Sequence, residues 1–229
     1  VNVTFDNCRS WEALNNAVLA QFYKIDVDTS LPYHVYGGLQ DNGTWGGPSR
    51  TRYTDGITIE DWWKFYEGDG FGAAANPEKP NIVFATSQGG NIGRVDMLTG
   101  AQARVDKQTR VDGVRCNYNW DTPFMISHHN NATLYFAGSF FFRSINEGSN
   151  STAISPKLTL TDRGSATAIA ESPRIQGVLY AGTDDGGAWV SQNHGAKWDR
   201  IDTNLPDMPG PRYVSAMVAS RHTNGRVFM

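Results

Sequence analysis

The 229 residues carry 39% hydrophobic and 12% aromatic side chains, 24 glycines and a net charge of −3. Seven Trp, nine Tyr and eleven Phe are more apolar surface than a disordered chain carries. Lysine and arginine form no run that would track phosphates, so nucleic acid is not an expected partner. The longest apolar stretches, such as Ala132 to Phe142, are interrupted well short of the roughly 20 residues a membrane span requires.

In chain order, the first unit read is the octet Thr4-Phe5-Asp6-Asn7-Cys8-Arg9-Ser10-Trp11. The stretch Ser10 to Gln21 that follows has a helical look, but the repeat register assigns it to an outer strand and a connection. A short motif then recurs, an apolar residue and an aromatic leading into small residues and a polar, glycine-rich turn. It appears at His34-Val35-Tyr36-Gly37-Gly38, Ile82-Val83-Phe84-Ala85-Thr86, Thr133-Leu134-Tyr135-Phe136-Ala137 and Val178-Leu179-Tyr180-Ala181-Gly182, and begins again at Arg226-Val227-Phe228-Met229. The aromatics Tyr36, Phe84, Tyr135, Tyr180 and Phe228 are spaced 48, 51, 45 and 48 residues apart. The octet itself returns, in looser form, at Ser144 to Ser151 and Ser191 to Trp198. In the best-formed unit, Thr167 to Ser172, Val178 to Thr183, Ala188 to Ser191 and Trp198 to Asp202 read as four strands, punctuated by Pro173, Gly177 and Asp184 to Gly187.

Units of four strands at this period predict an all-β chain, a β-propeller of four-stranded antiparallel blades. The expected blades are 1–20 (the tail of one), 21–66, 67–110, 111–160, 161–205 and 206–229 (the start of another). Both ends fall inside a blade, which implies an excerpt of a longer propeller, with open strand edges available for self-association.

The octets resemble the Asp-box of bacterial-neuraminidase-type repeat propellers, a hairpin turn between the two outer strands of a blade. Position three (Asp6, Asn146, Asn193) supplies a short acceptor for the turn's own N–H groups, so these residues are read as structural. Position five supplies a positive φ, and Trp198 at position eight is expected between blades. Cys8 stands where glycine is expected and Ser151 where tryptophan is expected.

In such a propeller, the turns between strands two and three share one face with the connections to the next blade. Residues assigned to that channel face are Gln40-Asp41-Asn42, Asp69, Gln88, Asn91, Arg115, Asn119-Trp120, Asp184-Asp185 and Trp189. Carboxylates beside flat aromatic rings suit carbohydrate, since acids can protonate a leaving oxygen and rings can stack on sugar faces. Asp with Gly is equally the chemistry of a tight turn.

Thr183-Asp184-Asp185-Gly186-Gly187-Ala188-Trp189 is similar to a catalytic turn of the two-propeller xyloglucan-degrading endoglucanases, which implies Asp184 as a catalytic carboxylate. The second acid would be Asp41 or Asp69; Gly68-Asp69-Gly70-Phe71 matches that family's other turn only faintly. The segments Tyr36 to Gly43, Ser87 to Asn91 and Tyr180 to Gly186 also resemble the sortilin N-terminal propeller and secreted Asp-box proteins, which implies a peptide or protein ligand and an extracellular or periplasmic location. The first ten residues carry no leader, which implies that any signal lies outside the sequence shown. A sialidase is not expected, because its Phe/Tyr-Arg-Ile-Pro motif is missing.

The main expectation is thus a secreted binding or scaffold module for a polysaccharide or a protein or peptide; the alternative is a glycoside hydrolase acting on a β-linked polysaccharide. No cofactor or metal is expected. Cys8 and Cys116 lack metal-ligand spacing and are either a disulfide pair or two small apolar residues. His128-His129 reads as a solvated turn on the opposite face. Asn2, Asn42, Asn131 and Asn150 head N-x-S/T sequons, relevant only in a eukaryotic secreted protein.

Overall fold

The computed structural model describes residues 2–13, 21–204 and 212–229. The connection expected after Ala13 and the blade junctions expected near residues 20 and 205 lie outside the described residues.

The chain is all-β. Strands β1 (Asn2–Val3) and β2 (Glu12–Ala13) form a two-stranded pair. The first four-stranded sheet comprises β3 (Ile25–Val27), β4 (His34–Leu39), β5 (Gly43–Pro48) and β6 (Trp63–Tyr66). The second comprises β7 (Ala73–Ala75), β8 (Ile82–Ser87), β9 (Asn91–Asp96) and β10 (Gln102–Arg104). A short hairpin, β11 (Arg110–Val111) and β12 (Val114–Arg115), precedes the third sheet of β13 (Phe124–Ile126), β14 (Leu134–Ala137), β15 (Phe141–Ser144) and β16 (Thr152–Ala153). The fourth is β17 (Ala166–Glu171), β18 (Leu179–Thr183), β19 (Ala188–Ser191) and β20 (Asp199–Arg200). A last pair, β21 (Val218–Ala219) and β22 (Val227–Phe228), follows. In every four-stranded sheet the strands lie side by side in chain order and antiparallel, the arrangement of a propeller blade.

The middle strands are apolar on both faces because each face meets a neighbouring sheet. In β8, Ile82 and Phe84 pack with Leu134, Phe136 and Phe142 of the third sheet. Val83 and Ala85, pointing the other way, pack with Tyr36 and Phe65 of the first. The same division recurs in β14, where Tyr135 and Ala137 turn towards Leu179 and Ala181 of the fourth sheet. Each large side chain buried in these layers contributes about 1.5–3 kcal/mol. A slip by one residue would exchange the two faces, so the core pins the register.

The three octets fold into one turn. Thr4, Ser144 and Ser191 hydroxyls accept the N–H four residues on, from Cys8, Gly148 and Gly195, each at 2.9 Å. Asp6, Asn146 and Asn193 accept from Ser10, Asn150 and Lys197 at 2.8, 3.0 and 2.8 Å. The Ser10 hydroxyl and N–H pull the Asp6 carboxyl down to about 2. Cys8, at φ 66°, occupies the left-handed position that Gly148 and Gly195 fill in the other copies. Trp198 packs on Phe141 at 5.1 Å between centroids and donates from Nε1 to the Ile154 carbonyl, bridging the fourth and third sheets. Trp11 is 59% exposed. Ser151 instead directs its N–H to Asp106 and its hydroxyl to the Asp106 carbonyl.

The turns between first and second strands are also repeated. Asp28, Asn76, Ser127, Ser172 and Ser220 each close a six-residue loop by donating the backbone N–H to the carbonyl of His34, Ile82, Thr133, Val178 and Arg226. Their side-chain oxygens accept N–H groups two or three residues on. They follow the spacing of the core aromatics.

Neither cysteine is bonded. Cys8 is exposed in its turn, while Cys116 is buried among Phe136, Phe140 and Phe142, and burial pushes its thiol pKa up.

Candidate functional site

The turns between second and third strands and the connections to the next sheet are tied together at one end of the blades. Gly70 N–H donates to Leu39 O, Gly89 N–H to Trp120 O and Asp184 N–H to Ser165 O. Close approach dictates glycine here, since a Cβ on Gly38 would lie 2.3 Å from the Gly70 and Phe71 backbone.

The residues singled out from the sequence fall into separate groups. Asp41, in the left-handed region at φ 60°, donates its N–H to Asp69 Oδ1 at 2.9 Å. Asp69 is buried, and its own N–H donates to Gln88 Oε1 at 2.9 Å. Gln40 Oε1 accepts from the Tyr23 hydroxyl, and the Asn42 amide donates to the Gln40 carbonyl at 3.0 Å. These residues form a chain of braces from the first sheet to the second.

Asp184 belongs to a different cluster. Its Oδ1 accepts the Ser165 N–H at 2.9 Å and its Oδ2 the Ser165 hydroxyl at 2.7 Å. Ser165 Oγ accepts in turn from the Asn119 amide at 3.1 Å, and Asn119 Oδ1 accepts the Asp121 N–H at 3.1 Å. Asp121 pairs with Lys24 at 2.6 Å. Tyr213, from beyond the fourth sheet, faces this cluster. Its phenol pKa is pushed up first by burial and then by the negative charges of Asp184 and Asp121. Asp184 thus shares a network with Asp121, while Asp41 and Asp69 brace each other.

Asp185 secures the connection into its own sheet: Oδ2 accepts the Thr161 N–H and hydroxyl at 2.7 and 2.9 Å, and Oδ1 the Thr183 hydroxyl at 2.6 Å. Burial raises its pKa, but these hydrogen bonds outweigh it and hold the carboxyl below its ordinary value. Trp189 donates from Nε1 to Leu158 O at 2.8 Å, with the Arg200 guanidinium 5.8 Å from its ring.

Between the turn of the second sheet and the connection to the third lies a cleft of about 320 Å³ lined by Gly89, Lys107, Arg115, Cys116, Asn117 and Tyr118. The Lys107 ammonium donates to Gly89 O at 3.0 Å and Asn91 Oδ1 at 3.1 Å and lies 5.3 Å from the Tyr118 ring centre. Trp120, whose carbonyl holds Gly89, is 59% exposed. Sequence reasoning missed Asp121, Lys24, Tyr213 and Lys107. Only Asp121, one residue past Trp120, carried a usable signal. Among the described residues no group of His, Cys, Asp and Glu could hold a metal ion, and His129 Nε2 lies 2.8 Å from the Ser172 carbonyl.

No family model and no curated protein matches the chain. Solved structures do. The GH74 enzyme of Niastella koreensis superposes with a TM-score of 0.54 at 15% identity, over 87% of this chain and 31% of that one. The GH74 xyloglucanase of Xanthomonas campestris gives 0.51 at 15% identity, over 80% and 30%. The computationally designed Ika8 protein gives 0.52 at 14% identity, over 86% and 53%. This chain therefore spans between about a third and a half of those structures, and the likeness speaks to its fold. No helix among the described residues is long and apolar enough to cross a membrane.

Proposed function

We propose that this chain is a carbohydrate-binding propeller module of an extracellular or periplasmic protein, with the glycan seated on the channel face at Trp120. The observation that carries this reading is the exposed ring of Trp120, which lies between Asn119 and Asp121 in the chain and whose carbonyl holds Gly89 of the cleft wall, a flat apolar platform in a segment of hydrogen-bonding groups. Asp184 and Asp121 serve as acceptors for sugar hydroxyls; an ionised carboxylate has about four lone-pair sites, and Ser165 occupies two on Asp184. The brace formed by Asp41, Asp69 and Gln88 supports the turns.

A second reading, glycoside hydrolysis, is favoured by one observation: Asp184 and Asp121 belong to one hydrogen-bonded network through Ser165 and Asn119. Asp121, in place of Asp41 or Asp69, is then the partner acid. Titration with a panel of neutral and acidic oligosaccharides, read by calorimetry and by release of reducing ends, separates the two. The binding reading expects an affinity that Trp120→Ala weakens, with no cleavage. Cleavage abolished by Asp184→Asn would install the hydrolase reading, and the absence of any binding would overturn both.

A further inference from the structure

The cleft is lined by two cations, Lys107 and Arg115, and by no carboxylate. Arg104, Lys107, Arg110 and Arg115 fall within residues 104–115. Ion pairs among the described residues engage Lys24, His34, Lys64, Lys79, Arg94, Lys157, Lys197 and Arg200, and none of those four. The nearest carboxylate in sequence, Asp106, is taken by Ser151, whose N–H reaches Oδ2 at 2.8 Å. Asp112 sits at the tip of the β11–β12 hairpin.

The cations are also held in place. Lys107 uses two of its three donors on Gly89 O and Asn91 Oδ1 and keeps one. The Tyr118 ring beneath it is anchored by its hydroxyl, which donates to the Gln108 carbonyl at 2.7 Å. The guanidinium of Arg115, exposed on β12 and lining the cleft, hydrogen-bonds to no group among the described residues, so its planar fork of donors is open to a ligand. Burial, and then the Arg104 charge, hold the Lys107 pKa below its ordinary value.

We infer that this cleft takes an anionic substituent of a sugar, a carboxylate or a sulfate ester, gripped by Arg115 and Lys107 while the adjoining ring stacks on Trp120. The inference rests on the proposal that the channel face binds carbohydrate and names the class of glycan: an acidic polysaccharide. Arg115 supplies the bidentate contact that a carboxylate or sulfate accepts, and Lys107 supplies a fixed point charge.

The test is calorimetric titration of the whole chain with an oligogalacturonide, its methyl-esterified form, a sulfated galactan oligosaccharide and a neutral cello-oligosaccharide. At least one acidic probe is expected to bind, with the carboxylated and sulfated arms identifying the group. Its affinity is expected to fall by about tenfold or more in Arg115→Gln, to fall by less in Arg115→Lys, which keeps the charge but not the two-point contact, and to weaken with added salt. The inference is overturned if the methyl-esterified or neutral probe binds as tightly as the acidic ones, or if Arg115→Gln leaves the acidic affinity unchanged. In that case a neutral glycan that still depends on Trp120 preserves the proposed function, whereas silence from every probe removes both.

Discussion

The two ends of the blades are built on different terms. At one end, Asp28, Asn76, Ser127, Ser172 and Ser220 repeat a single device, a short polar side chain closing its own six-residue loop. At the other, the backbone closures recur but the groups that hold the turns vary: Asp41 donates to the Asp69 side chain, Gly89 to the Trp120 carbonyl, and Asp184 adds its carboxylate to Ser165. Repetition is what folding alone requires of equivalent blades, so departures from it mark where side chains are available for other work. The polar groups at the regular end face their own loops or the next sheet, as Glu171 does in accepting the Ser127 hydroxyl and the His128 N–H. At the irregular end Trp120 and Arg115 face outward.

Substitutions should therefore cost stability at the first end and leave it at the outward-facing side chains of the second. The largest effect is expected for Glu171→Ala: Glu171 is 2% exposed, and its loss strands the Ser127 hydroxyl and the His128 N–H. About 3 kcal/mol should disappear in urea unfolding, with less in Glu171→Gln, which keeps an acceptor. Next comes Asp28. Burial alone would raise its pKa, but the His34 N–H and ring and the Ser30 N–H outweigh it and hold the folded value below the ordinary 3.8. Its contribution is then complete above about pH 4 and is lost as pH falls through the folded value. Unfolding curves between neutral and strongly acidic pH should show that slope in the parent and a flatter one in Asp28→Asn. Asn193→Ala, which removes the acceptor for Lys197 N–H in an exposed turn, should lower stability by about 1 kcal/mol. Smallest is Trp120→Ala, expected within about 0.5 kcal/mol of the parent because the ring is exposed. A large loss there would erase the contrast between the two ends.

The same contrast explains what could be read from the chain. The aromatics at 48, 51, 45 and 48 residues mark middle strands because every blade buries that strand on both faces, so its composition cannot vary much. The loop closures share that spacing but escape notice because Asp, Asn and Ser do one job with different letters. The β11–β12 hairpin went unread, although it carries the Asp112-Gly113 pair, whose positive φ values of 47° and 81° are the twist a two-residue hairpin turn needs. The fold read from these signals, blades of four antiparallel strands, is the one observed. The site was less legible. Asp184 and Asp121 lie far apart in sequence and meet through Ser165 and Asn119, a juxtaposition that no local pattern encodes. Turn chemistry also uses the same Asp and Gly residues that a ligand site would, which is why Asp69 and Asp185 carried the same sequence signal as Asp184 while bracing the backbone.

The central claim is that the irregular end binds carbohydrate through Trp120. Its most direct test is a glycan array probed in parallel with the parent chain and with Trp120→Ala, after both are shown to unfold at the same denaturant concentration. The account predicts a defined set of glycans bound by the parent and lost or weakened by about tenfold or more in the variant, the scale of one aromatic stacking contact. Equal binding by the two proteins, or no glycan bound by the folded parent, would contradict it.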